Sequence, residues 1–315
     1  MSKYISIIIP NYNGMEYLKE CLDSIQEQTF NDYEIILVDD LSSDKSVEYV
    51  KNNYKTIKII QMERNSGFSK VVNEGIKQAV GEYIFLLNND TRLGKNCLEE
   101  IRNGARRHPE YAMFACKVLS MSNPNLVDSA GDGYSVFGNP YKIGYKKKDG
   151  PVYQLEKEVF GACAAAAVYK RALFRDIGLF DEDFGFYNED SDLNFRARLK
   201  GYRCLYVPSA VVYHKLMGSY GKRLGKAIYQ ICRNKINLIV KDMPTALIIK
   251  YLPFLILGRI RDLLMAASKF KFLSGLMGIF GALWQLPLML KKRREIQSLR
   301  KISDRQLEKY LDWTI

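Results

Sequence analysis

Three short polar runs hold the residues with which this chain could do chemistry: Asp39-Asp40, Asn88-Asn89-Asp90 and Asn188-Glu189-Asp190-Ser191-Asp192. The middle run follows directly on the apolar stretch from Tyr83 to Leu87. A continuous apolar run of that length, closed by turn formers, reads as a strand buried on both faces of a parallel sheet. Open α/β sheets bind ligands beyond the carboxyl ends of their strands. Asn88, Asn89 and Asp90 therefore stand where a ligand is expected. A carboxylate there suits a hard divalent cation, which in turn holds phosphate. Taken alone, the run suits equally well a turn capped by Asn and Asp side chains. The third run opens a helix through Leu199, with Leu193 and Ala197 on one face and Gly201 as its C-cap. Acidic residues at a helix start are favourable for electrostatic reasons alone, so this run by itself requires no cleft.

The elements that must position these residues can be read in order. Ile5 to Ile9 is a buried strand ended by Pro10-Asn11-Tyr12-Asn13-Gly14. Met15 to Gln28 has helical spacing, with Leu18, Leu22 and Ile25 on one face. Glu34 to Val38 is the next strand, and Asp44 beyond it is expected to cap a helix through Val50. Ile57 to Ile60 leads to Asn65-Ser66-Gly67-Phe68, then a helix from about Ser69 to Val80 leads back to Tyr83. Strict alternation of strand and helix predicts a doubly wound parallel sheet with right-handed crossovers. Each strand stops in a polar cluster, and four clusters at one end of one sheet make a cleft. No GxGxxG follows the first strand, which weighs against a dinucleotide oxidoreductase, and the absence of GxxxxGK[ST] weighs against a P-loop NTPase.

Read together, the runs resemble a family 2 glycosyltransferase of the GT-A fold, across roughly residues 1 to 220. The resemblance is carried by Ser6 to Asn13, by Ile36 to Asp40 with Ser42 and Asp44, and by Asn65, Gly67 and Phe68 with Asn73 and Gly75. Leu87 to Asp90, Asn188 to Leu193 and His214 complete it. The pattern is most similar to rhamnosyltransferase-like members that build bacterial surface polysaccharides. It implies that Pro10 and Tyr12 flank a nucleotide base and that Asp40 hydrogen-bonds a pyrimidine, while Asp39 is structural. Asn65 to Phe68 resembles the loop that covers the donor, with Gly67 inside it, and Asn13, Asn88 and Asn89 are the other expected nucleotide-sugar contacts. Asn88-Asn89-Asp90 occupies the family's DxD position, with Asn88 in place of the first Asp. Asp90 is thus the one carboxylate there, and with diphosphate oxygens and water it still suits octahedral Mg²⁺ or Mn²⁺. His214 matches a metal-ligating His of some members.

The resemblance also assigns the acidic run that opens the late helix. It places Glu189 and Asp190 at the acceptor hydroxyl, where an attacking alcohol must lose a proton in the transition state. Asp190 is the expected general base ahead of Glu189, and Asp192 a helix-start residue or a support for the residues that touch substrate. Residues 120–150 lose clear periodicity; Lys146-Lys147-Lys148 reads as a solvated run. Gly161 to Tyr169 is small, apolar and tightly packed, and the resemblance sets it beside the acceptor sugar.

Composition bounds the rest. The 315 residues are 47% hydrophobic and 26% charged, as in a globular protein. Six cysteines without paired CxxC spacing suit reduced thiols rather than disulfides or zinc. No secretory signal is expected, because Lys3 precedes a strand pattern directly. The net charge of +12 is uneven: residues 219–315 hold 19 Lys and Arg against 6 Asp and Glu, so the preceding residues are near neutral. The tail is helical throughout, apolar from Leu247 to Leu257 apart from Lys250, and uncharged from Phe272 to Leu290. Such helices with basic flanks suit an anionic membrane surface or an oligomer interface, and not nucleic acid, which would call for exposed aromatics among the charges.

The expectation is a GT-A domain over 1–218, Rossmann-like with a mixed sheet, and a helical, basic, membrane-associating region over 219–315. The expected activity is inverting transfer of a sugar from a UDP- or dTDP-sugar, dTDP-rhamnose among them, to a glycan or polyprenyl-linked acceptor at the inner face of the cytoplasmic membrane. Two alternatives stand beside it: a non-catalytic sugar-nucleotide-binding or scaffold relative, and a nucleotidyltransferase, which should carry a basic Gly-rich loop where Pro10 to Gly14 stands.

Overall fold

The fold is described by a computed structural model covering residues 3–215 and 224–314. The expected domain boundary at 218/219 lies outside the described residues. β1 (Ile5–Asn11), α1 (Met15–Gln26), β2 (Tyr33–Asp39), α2 (Ser46–Asn53), β3 (Lys58–Gln61), α3 (Phe68–Gln78) and β4 (Tyr83–Leu87) alternate as the periodicity predicts. Successive strand side chains point to opposite faces, and β1 shows what that does. Ile5, Ile7 and Ile9 pack with Leu18, Leu22 and Ile25 of α1 on one side of the sheet. Ile8 packs with Val71, Val72 and Ile76 of α3 on the other. Each such isoleucine, fully buried, contributes roughly 1.5–3 kcal/mol. Close approach of α3 depends on Gly75, where a Cβ would lie 2.5 Å from Ile8 Cγ2.

These four strands run parallel in the order β3-β2-β1-β4. The chain then passes through β5 (Thr91–Leu93), α4 (Cys97–Arg107) and β6 (Met113–Ser120). Next come β7 (Val127–Ser129), β8 (Asp132–Ser135), β9 (Pro140–Lys142) and β10 (Lys157–Val159). β11 (Ala166–Lys170), α5 (Arg171–Ile177), α6 (Glu189–Leu199) and β12 (Cys204–His214) complete this part. β11 lies antiparallel between β4 and β6, and β12 runs parallel to β6. The result is one mixed ten-stranded sheet.

Within the segment that lacks periodicity, β8 and β9 form a second sheet with β13 (Leu311–Asp312), far along the chain. One detail differs from expectation. The N-cap of α2 is Lys45, not Asp44. Asp44 instead accepts the backbone N–H of Ser46 at 3.0 Å and of Met15 at 3.0 Å, so one carboxylate serves the first turns of α1 and α2. Gly201 does end α6: the N–H of Gly201 and of Tyr202 bond back to Arg198 and Ala197, with Gly201 at φ 92°.

α7 (Leu224–Asp242), α8 (Thr245–Ser268), α9 (Phe272–Ser298) and α10 (Asp304–Glu308) follow. α9 lies tightly on α7 because a Cβ at Gly278 would sit 2.5 Å from the Tyr229 carbonyl. Much of the basic charge of this region is spent within the protein. Buried Lys241 pairs with Asp181 at 2.6 Å and with Asp192, Lys292 pairs with Asp181 and Asp183, and Lys235 pairs with Asp262. All six cysteines are free and buried.

Candidate active site

The strand ends meet through side chains. Asn11, at the end of β1, is buried and donates to Asp39 at 2.8 Å and to Ser46 at 3.0 Å. Its Oδ1 accepts from Asn89 at 2.9 Å. Asp39, fully buried, also accepts from the N–H and hydroxyl of Ser42 at 2.9 and 2.5 Å. Asn11, Asp39 and Asn89 are thus the frame of the cleft floor. Gly14 is part of it, since a Cβ there would meet the side chains of Asn89 and Asn11 at 2.2 and 2.3 Å. Asn13, in left-handed backbone at φ 51°, accepts the N–H of Ser43 and Asp44 and so shapes the rim. Tyr12 stands half exposed at the mouth, and Pro10 is partly buried behind it.

Asp40 takes the backbone N–H of Ser66 at 2.6 Å and of Gly67 at 3.0 Å. Asn65 donates to the Asp40 carbonyl at 3.2 Å. Burial raises the Asp40 carboxyl from its ordinary range despite these donors. The 65–68 loop therefore closes on the end of β2, and Gly67 at φ 85° gives the turn its left-handed step. The same loop reaches the far side of the cleft, where Ser69 donates from N and Oγ to the Gly185 carbonyl, both at 3.3 Å. Phe68 also lies edge-on to Phe186 at 5.9 Å.

At the end of β4, Asn88 bonds through its backbone N–H to the Ala165 carbonyl at 3.1 Å. The adjoining N–H of Ala164 donates to Asp190 at 3.2 Å, and Ser191 N–H donates to the other Asp190 oxygen at 2.7 Å. Asp190 is thereby tied through Ala164 and Ala165 to the Asn88 backbone at the end of β4, and fixed in direction by two backbone donors. Its neighbour Glu189 is buried with Oε2 unpartnered among the described residues. Burial and the adjacent Asp190 push the Glu189 carboxyl well above its ordinary range. Asp192 points inward to Arg196 at 2.9 Å and to Lys241.

His214, the last residue of β12, joins Asp90 to a partner that the sequence did not reveal. Its Nε2 lies 3.3 Å from Asp90 Oδ1, and its Nδ1–H donates to buried Asp128 at 2.9 Å. Burial opposes the charged imidazole, but the bonds to Asp128 and Asp90 outweigh it and lift the group to about 9. Asp128 also accepts from Lys142 at 3.0 Å. With Nδ1–H committed to Asp128, a cation that displaces the Nε2 proton would meet Nε2 and the Asp90 carboxylate as an N,O donor pair; a carboxylate behind the imidazole is the arrangement that orients metal ligands. These two residues fit a divalent cation.

Asp132 is a second residue missed from sequence. Its carboxylate, Cys163 Sγ and an Asp190 oxygen lie within 4.8 Å of one another, and Asp132 Oδ1 is buried without a partner among the described residues. Burial drives the Asp132 carboxyl well above its ordinary range. Asp128 and Asp132 both sit on the short strands of the aperiodic segment; a lone acid between small and apolar neighbours was the only sign they gave.

With the geometry in view, the comparisons are specific. The model of Glycosyl transferase family 2 matches residues 6–178. An uncharacterized glycosyltransferase of Rickettsia typhi is 30% identical over 195 residues, 62% of this chain and 58% of that protein. The poly(ribitol-phosphate) beta-N-acetylglucosaminyltransferase TarS of Staphylococcus aureus is 25% identical over 214 residues, 66% of this chain and 35% of that one. The chain thus spans well under two thirds of the length of these relatives. In three dimensions TarS 1-349 superposes with a TM-score of 0.60 at 19% identity, over 94% of this chain and 90% of that one. TarS 1-349 is also known in complex with UDP-GlcNAc, superposing at a TM-score of 0.56 and 20% identity over 96% of this chain and 95% of that one. A mannosyltransferase from Pyrobaculum calidifontis, in complex with GDP-Man and Mn²⁺, gives 0.56 at 16% identity, over 95% of this chain and 86% of that one. At these identities the likeness establishes the GT-A architecture.

Proposed function

The chain belongs to glycosyl transferase family 2, and from that membership we propose that it is an inverting glycosyltransferase acting on a pyrimidine nucleoside diphosphate sugar. The observation that carries this reading is the fixed Asp190 carboxylate, tied through Ala164 and Ala165 to Asn88 at the end of β4. The donor lies across the strand ends, its base between Tyr12 and the Asp40 loop, its diphosphate toward Asp90 and His214. Solved relatives holding UDP-GlcNAc or GDP-Man with Mn²⁺ support a nucleotide-sugar donor and a divalent cation here. That cation, held by Asp90 and His214, would neutralise charge on the departing diphosphate. Asp190 accepts the proton as the acceptor O–H bond breaks. The freed oxygen pair bonds to the anomeric carbon from the face opposite the leaving group. The carbon–oxygen bond to the diphosphate breaks, and the nucleoside diphosphate leaves with that pair.

The rhamnosyl donor remains part of the proposal, as does an acceptor in surface-polymer synthesis, which the TarS name supports. So does the setting, a peripheral enzyme at the inner face of the cytoplasmic membrane with a lipid-linked acceptor. Asn88 at the DxD position favours a second reading, a relative that binds the donor without turnover. Calorimetric titration with UDP and dTDP, with and without Mn²⁺, tests the donor site: metal-dependent binding of either is expected, and binding of neither by folded protein would overturn it. Asp190→Asn separates the two readings. An enzyme loses turnover and keeps donor binding; a non-catalytic binder has no turnover to lose.

A further inference from the structure

The outward faces of α8 and α9 are apolar where a water-facing helix would be charged. On α8, Ile249, Leu252, Ile256, Ile260 and Leu264 recur at helical spacing and are 48 to 71% exposed. On α9, Leu273, Met277, Phe280 and Trp284 do the same, with Trp284 at 89%. The inward faces carry Leu255, Gly258 and Ala266 of α8 and Gly275, Gly278 and Ala282 of α9, all buried. From Leu263 to Leu290 the only charged residues are Lys269 and Lys271. They flank Phe270, which turns the chain between the helices at φ 55° and is 95% exposed. A continuous apolar face of this extent marks a binding surface.

We infer that the α8–α9 hairpin is a membrane-insertion element, its outward face and Phe270 tip entering the interface of an anionic phospholipid bilayer. The inference rests on the membrane-surface setting proposed above and names the element that meets the lipid. Three observations select this occupant. The apolar tip lies between two lysines, the pairing that suits an acyl boundary beneath anionic headgroups. A second copy of the chain docking through the same tips would bring those lysines together. α9 is long and apolar enough to cross a membrane by length and composition, yet Gly278 lies against the Tyr229 carbonyl and Gln285 accepts from Asn237 of α7 at 2.7 Å. One face of α9 is therefore committed to protein, which leaves only the other for lipid and fits interfacial insertion in place of a span.

The test is cosedimentation of the full chain with vesicles of phosphatidylcholine, with and without phosphatidylglycerol, alongside donor turnover in vesicle-free solution. Wild type is expected to sediment with the anionic vesicles. Phe270→Glu and Trp284→Glu, both at exposed positions, are expected to lower that partition by roughly tenfold or more with unchanged thermal midpoints. Lys269→Glu with Lys271→Glu should remove the preference for phosphatidylglycerol. If the tip variants sediment like wild type, the hairpin assignment is overturned while membrane attachment stands. If wild type stays in solution, as a dimer by light scattering or as a monomer, both are overturned. Turnover without vesicles reports on the glycosyltransferase reading independently of either result.

Discussion

Glu189 and Asp190 are adjacent carboxyls in opposite circumstances, and the difference supports the proposal of Asp190 as the base. Asp190 is partly open and held by the N–H of Ala164 and Ser191. Glu189 is buried, and burial with the adjacent Asp190 pushes its carboxyl well above its ordinary range, toward the protonated form. Gln mimics a protonated Glu, so Glu189→Gln is expected to cost less than about tenfold in kcat, against about 10²–10⁴ for Asp190→Asn. Comparable losses in the two variants would reverse the assignment. Asp128 makes a second residue-level prediction. Asp128→Asn should weaken Mn²⁺ binding about 10–100-fold by releasing His214, read by titration of Mn²⁺ in the presence of UDP. At this scale the sequence was informative wherever a polar residue directly followed a buried strand. It said nothing of which polar atoms were already taken: Asn13 and Asn65 were expected at the donor, and both spend a side-chain hydrogen bond on the segment that follows β2, at Ser43 and Asp40. Asp128 was hidden because its strand of three residues is too short to show a period.

The element that carries Asp190, the proposed base, is α6, and what sets the start of α6 is α7. The two residues before the helix, Tyr187 and Asn188, both adopt left-handed backbone, at φ 70° and 64°. That conformation is costly for side chains with a Cβ and persists only when its surroundings impose it. Asn234 of α7, fully buried, imposes it by donating to the carbonyls of Phe184, Phe186 and Tyr187 at 2.9, 3.1 and 2.6 Å. Arg233 adds bonds to the carbonyls of Asp183 and Phe184. Asn234→Ala is therefore expected to lower kcat at least about tenfold while leaving UDP affinity within about twofold, with a stability loss of about 1–3 kcal/mol from carbonyls left unpaired. A parallel loss of UDP affinity would mean that α7 supports the whole cleft and not the base alone. Helices and parallel strands of the first ninety residues were legible because each buries one strong period against the sheet. The clamp was not, since it depends on contacts between residues some fifty positions apart.

Across the whole molecule, Glu158 of β10 ties four parts of the chain. It pairs with Arg198 of α6 at 2.7 Å and with Arg203 at 2.6 Å, and it accepts from Tyr310 near the last strand at 2.8 Å. Burial opposes its charge, but these partners outweigh it and lower the carboxyl from 4.5 to about 2. A depressed carboxyl stabilises the fold above its unfolded value, and that contribution is lost as pH falls from about 4.5 through about 2. The amount is on the order of 3 kcal/mol. Thermal midpoints measured against pH should show an acid-side decline that Glu158→Gln flattens; an unchanged profile would remove Glu158 from the account. The net charge of the tail was legible as a number but not as a use. Composition cannot distinguish a lysine facing solvent from Lys241, which is buried between Asp181 and Asp192.

The second sheet has a consequence for how the molecule is made. β8 carries Asp132 toward Asp190, and β8 is completed by Leu311 and Asp312, with Asp312 also accepting the Val136 N–H at 2.8 Å. Asp132 therefore rests on a strand pairing that forms only once Leu311 and Asp312 have been made, well after β1 to β4 have emerged. On the proposed reading, a chain halted before Leu311 keeps the donor cluster at the ends of β1, β2 and β4 but lacks the strand that steadies Asp132 beside Asp190.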